Sequence, residues 1–132
     1  MTRLSMVLLC STVATAVCVD GQLSVAHEYS KSTYVLIADV VTAHKVPASN
    51  DGRFLDGTNY TLRTMRSLKG HPPKTFAVFS ENSSGRFNMV QSERYLVFVY
   101  RDGRRQIDNC GNSGPLNSSS DTLAKIQNLV KH

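Results

Sequence analysis

The sequence predicts one mainly β domain with peripheral helices, built as a small antiparallel barrel or a compact α+β sheet. Three observations lead there. Stretches rich in β-branched and aromatic residues recur between clusters of Gly, Pro, Asn and Asp. Segments with helical spacing lie before the first and after the last of them. About 115 residues remain once an amino-terminal export signal is set aside, enough for one modest core and not for two.

The signal occupies residues 1–16 and the domain residues 17–132. Arg3 precedes an apolar run from Leu4 to Val17, and Ala14-Thr15-Ala16 satisfies the small-x-small cleavage rule. The run is shorter than the roughly 20 residues a spanning helix needs, and Asp20-Gly21 follows at once, so no stable membrane insertion is expected. Acylation at Cys18 is disfavoured because Val17 is large for the position before a lipidated cysteine.

The elements follow in order. Leu23 to Ser32 places Leu23, Ala26, His27 and Tyr29 near helical spacing, and Tyr34 to Val41 reads as a strand. His44 to Asn59, dense in turn formers, reads as a long loop. Tyr60 to Leu68 alternates, with Tyr60, Leu62 and Leu68 expected on one face, and Gly70-His71-Pro72-Pro73 stops it. Thr75 to Ser80 is a strand, and Glu81 to Met89 a polar connecting loop. Arg94 to Arg101 is apolar on both faces and marks the centre of the core. Asp102-Gly103 turns the chain back into Arg104 to Asn109. Ser120 is the expected N-cap of a closing helix whose stripe is Leu123, Ile126, Leu129 and Val130.

Removing the signal takes away Cys10 and leaves Cys18 and Cys110, an even pair in an oxidising compartment and therefore an expected disulfide. The whole chain carries 15 basic and 10 acidic residues, a net charge of +5, but the charges are scattered. Only Arg101 to Arg105 is locally dense, as befits a solvated hairpin end.

Catalytic chemistry finds little support. Cys110-Gly111-Asn112-Ser113-Gly114-Pro115 resembles the nucleophile loop of chymotrypsin-like proteases, but Ser113 lacks that family's flanking residues and the chain can build only one barrel. His27, His44, His71 and His132 are scattered without metal-ligand spacing, and no phosphate-cradling glycine motif occurs. No catalytic residue, metal or cofactor is expected. Export and core packing of the aromatics argue against a nucleic-acid partner. Asn59, Asn82 and Asn117 head glycosylation sequons, which matter only in a eukaryotic source.

In order, the blocks are Cys18, Tyr34 to Val41, Tyr60 to Gly70, Arg94 to Tyr100, and Cys110 with its Gly-Asn-Ser-Gly loop before a terminal helix. That order resembles the netrin-like domain of tissue inhibitors of metalloproteinases, in particular short single-domain bacterial relatives. The resemblance implies a five-stranded OB-type antiparallel barrel with an amino-terminal and a carboxy-terminal helix. It also implies a protein partner, with a metalloprotease as one candidate class, met by an amino-terminal segment, here Cys18, Val19 and Asp20, and by the neighbouring loops His44 to Asn59 and Glu81 to Met89. In the inhibitors a terminal cysteine offers its amine and carbonyl to the catalytic zinc, displacing the water a protease needs. Here Cys18-Val19-Asp20 replaces the family's Cys-x-Cys, and cleavage after Ala16 leaves Val17 first and Cys18 as one end of a structural disulfide. The resulting expectation is a secreted or periplasmic, monomeric, non-enzymatic binding domain. A competing expectation is a barrel that binds an oligosaccharide or anionic polymer through Arg101, Arg104 and Arg105.

Overall fold

A computed structural model describes residues 18, 21–47, 55–83, 86–102 and 104–131. The expected signal, Val17, Val19, Asp20, the Asn50-Asp51-Gly52 turn and Gly103 lie outside the described residues. Helix α1 (Val25–Lys31) leads into β1 (Tyr34–Pro47), β2 (Leu55–Lys69), β3 (Thr75–Glu81), β4 (Arg94–Asp102) and β5 (Arg104–Gln106). A two-residue β6 (Gly114–Pro115), a 3₁₀ turn (Leu116–Ser118) and helix α2 (Ser120–Val130) complete the described chain.

β1 pairs antiparallel with both β2 and β4, β3 with β2, and β5 with β4, while β3 and β5 meet in parallel. The result is a ring of five strands, with β6 adding to the free side of β4. The inside of the ring is packed by Leu36, Val40, Tyr60, Leu62, Phe76, Val78, Tyr95, Val97, Val99 and Ile107. A second cluster on the outside joins Val35, Leu96 and Phe98 to Val25 of α1 and Ile126 of α2. The helices thus cover the outer face of β4, which is why that strand is apolar on both sides; Leu96 to Val99 are all fully buried.

Several local expectations need correction. The described ends of the expected His44–Asn59 loop are ladder: His44 pairs with Asn59, Lys45 with Thr58 and Val46 with Gly57. Both faces there are largely polar and solvated, so hydrophobic alternation gave no strand signal, and Pro47 sits at the strand end where its missing N–H costs least. Register shifts in the β1–β2 ladder leave Val41, Met65 and Leu68 without direct partners. Each inserted residue reverses the alternation beyond it. Leu68 therefore joins the outer cluster instead of the Tyr60–Leu62 face, while Val41 and Met65 are 38% and 46% exposed.

The helices differ too. In α1 the inward residues are Val25 and Glu28 with half-buried Tyr29, whereas Ala26 and His27 face solvent. Ser24 is its N-cap, accepting from the His27 N–H. Ser119, not Ser120, precedes α2, and its hydroxyl donates to the Pro115 carbonyl instead of capping the helix. Only Ile126 of the expected α2 stripe is fully buried; Leu123 is half-buried, while Leu129 and Val130 are exposed.

The segment expected as a polar loop, Glu81 to Met89, supplies core. Phe87 and Met89 are buried in the ring, and Phe87 meets Tyr95 edge-on at 6.2 Å between ring centres. Its backbone is held by side chains: Ser80 Oγ accepts from the Phe87 N–H, the Tyr60 hydroxyl from Met89, and the Tyr95 hydroxyl from Val90. Burial, foremost, raises the Tyr95 ionisation above the usual phenol range.

Candidate binding surface beside the disulfide

Cys18 and Cys110 form a disulfide with Cα atoms 5.7 Å apart, linking positions 92 residues apart in sequence. It fastens the described amino-terminal segment to the loop after β5. Further bonds stitch the two together. Gly21 N–H donates to the Cys18 carbonyl, with Gly21 at φ +72°, a left-handed conformation suited to glycine. Gln22 Nε2 donates to the Gly111 carbonyl and to Asn112 Oδ1, each at 3.4 Å, and Asn112 Nδ2 donates to the Leu23 carbonyl at 2.9 Å.

Beneath these contacts lies Glu28, a carboxylate with no solvent exposure. The Tyr100 hydroxyl donates to its Oε1 at 2.7 Å, and the Asn112 N–H and Nδ2 donate to its Oε2 at 2.5 and 2.7 Å. No cation contacts it among the described residues; hydrogen bonds alone compensate its burial. A Cβ on Gly111 would collide with this carboxylate, so the glycine is what lets the loop after Cys110 close over Glu28. Burial, reinforced by the bond to Glu28, drives the Tyr100 ionisation far above the usual phenol range. Glu28 therefore joins α1, β4 and the Cys110 loop at one point.

Next to this hub an open groove of about 490 Å³ runs between the start of α1 and the end of α2. Leu23, Val25, Ala26 and Leu129 are its apolar lining, and Gln22, Asn112, Lys125 and Asn128 line it with polar groups. Such a mixture of apolar and polar lining suits a macromolecular contact.

Of the residues expected to form a binding segment, Cys18 is described and is half-buried in the disulfide. Glu28, Tyr100 and Asn112 were not legible as a group, because they are up to 84 residues apart in sequence. Ser113 has a structural contact: its Oγ accepts from the Phe98 N–H at 2.8 Å, extending the β4–β6 ladder. Among the described residues no cluster of His, Cys, Asp or Glu could hold a metal ion, and no helix is long and apolar enough to cross a membrane.

On the outside of the ring, Asp39 bridges two neighbouring strands, accepting from Arg94 Nε at 2.6 Å and from Arg63 at 3.4 Å. The hydrogen bond from Arg94 is the chief reason its carboxyl titrates below the usual carboxylate range.

Ring, flanking helices and disulfide define the class: a disulfide-bonded, mainly β domain whose amino-terminal segment is fixed against its own core, consistent with an oxidising, extracytoplasmic setting. Comparison with protein-family models and with curated proteins finds no match.

Proposed function

We propose that this chain is an exported, non-enzymatic binding domain of netrin-like, OB type that engages a protein partner through its amino-terminal segment and the adjoining α1–α2 groove. The strand order, with β1 closing on β4 and β3 beside β5, supports the OB reading, since OB folds are five-stranded, partly open Greek-key barrels. The observation that carries the functional reading is the clamped amino terminus. The disulfide, Gln22 and Asn112 hold it beside a groove with apolar and polar lining, so a partner would meet a pre-organised surface.

Cys18, Val19 and Asp20 are the proposed contacts, with Gln22, Lys125 and Leu129 continuing the surface. A metalloprotease is the partner class that the resemblance implies. A mature terminus at Cys18 would offer an amine and a carbonyl to a catalytic zinc; a terminus at Val17, the arrangement favoured here, leaves Cys18 structural and makes the contact a steric one.

The test is a binding and inhibition titration of the exported protein against a panel of zinc metalloproteases, with its terminus fixed by intact mass. Leu129→Glu and Lys125→Glu should each weaken an interaction that the unmodified protein makes. If both variants bind every recovered partner unchanged, the groove is not the binding surface.

A further inference from the structure

The ring closes narrowly at one seam. β2 and β3 pair continuously from Gly57–Glu81 to Arg63–Thr75, but among the described residues β3 and β5 pair only where Phe79 faces Gln106. Beside that pair lies a cleft of about 190 Å³, lined by Val46, Asn59, Ala77, Phe79, Arg104 and Arg105.

The two arginines are held by aromatic rings instead of by acids. Arg104 stacks 4.1 Å from the Phe79 ring centre, and Arg105 lies 5.3 Å from that of Phe76. Gly57 makes the Phe79 platform possible, because a Cβ there would meet the ring. Neither arginine makes an ion pair or side-chain hydrogen bond among the described residues, and no acidic side chain described lines the cleft. Arg105 Nε is shielded from solvent and has no acceptor among the described residues, a costly state for a charged donor. Arg101 stands directly opposite Arg105 in the β4–β5 ladder, a like-charge placement that an anion would relieve.

We propose that this seam is a binding site for an oxyanion, the sulfate or carboxylate of an acidic saccharide. The ring contacts hold the two guanidiniums in place, so their N–H groups can grip such a group with less further ordering than free side chains would need. The Asn59 amide supplies a donor and an acceptor for sugar hydroxyls. A nucleic acid fits less well: Phe76 is buried and Phe79 is covered by Arg104, which leaves no free ring here to stack a base. The site is independent of the groove assigned above to a protein partner.

The experiment is calorimetric titration of the folded, disulfide-bonded protein with a sulfated disaccharide, a uronate disaccharide, the matching neutral disaccharide and a short oligothymidylate. The acidic sugars should bind, the neutral sugar should not, and affinity should fall as salt rises. Arg105→Gln should weaken binding about tenfold or more, the effect of losing one charge-assisted contact. Ala77→Glu, which places a competing carboxylate in the cleft without removing either arginine, should do the same, whereas Arg66→Gln should leave binding unchanged. Equal binding of neutral and acidic sugars, tighter binding of oligothymidylate, no binding of either acidic sugar, or affinity unmoved in both cleft variants would each overturn the proposal.

Discussion

Replacing Glu28 by alanine removes the acceptor for three donors at once: the Tyr100 hydroxyl and the two Asn112 groups. Each buried donor left unpaired costs about 1–3 kcal/mol, and partial water entry or relaxation offsets some of that, so a net loss of about 3–5 kcal/mol is expected. Glu28→Gln keeps the shape. Its amide oxygen can still accept from Asn112 while its NH₂ faces the Tyr100 oxygen, so only the Tyr100 O–H loses its acceptor and the cost falls to about 1–3 kcal/mol. Tyr100→Phe removes one donor to the carboxylate and should cost about 1.5–3 kcal/mol. Tyr100→Phe and Glu28→Ala together should cost clearly less than their sum, because they delete the same bond. Urea unfolding with the disulfide intact measures all four variants against the parent. A Glu28→Ala loss below about 1 kcal/mol, or strict additivity with Tyr100→Phe, would refute the hub.

Other outcomes follow from the same geometry. Reducing the Cys18–Cys110 disulfide, or replacing both cysteines by serine, should lower stability by about 3–5 kcal/mol for a loop this long, read as a shift in urea midpoint. Phe87→Ala should cost about 3–5 kcal/mol, since it empties the inside of the ring; a loss typical of a surface site would show that the segment is not core. The depressed Asp39 carboxyl adds stability that is present above its unfolded pKa and disappears as pH falls through the lower folded value. The stability advantage of the parent over Asp39→Asn should therefore be visible near neutral pH and vanish in strong acid; an advantage that grows on acidification would contradict the Arg94 bond as its source.

How much of this was legible in sequence depended on whether the signal was local. The β4 strand was clear because burial on both faces leaves an unbroken apolar run from Tyr95 to Tyr100. The Cys18–Cys110 link followed from setting Cys10 aside with the expected signal and counting the two cysteines that remain. The bulges at Val41, Met65 and Leu68 were hidden, because a period-two reading assumes an unbroken register. Phe87 and Met89 were hidden by their polar neighbours. Glu28 was the least legible: a glutamate in a short helix normally marks the solvent face, and its partners on β4 and the Cys110 loop come together only through the fold. The arginines of β5 were visible as a dense basic segment, but not their seat on Phe76 and Phe79.

If the clamped amino-terminal segment and its groove form the proposed partner-binding surface, a bound partner lies within covalent reach of the groove. Site-specific photo-crosslinking of the disulfide-bonded protein measures this, with the reactive side chain placed in turn at Leu129 in the groove and at Met65, which is exposed outside it. A metalloprotease shown to bind the unmodified protein is expected to crosslink from Leu129 and not from Met65, and reducing the disulfide should abolish the product. Crosslinking from Met65 alone, or a Leu129 product indifferent to reduction, would contradict it.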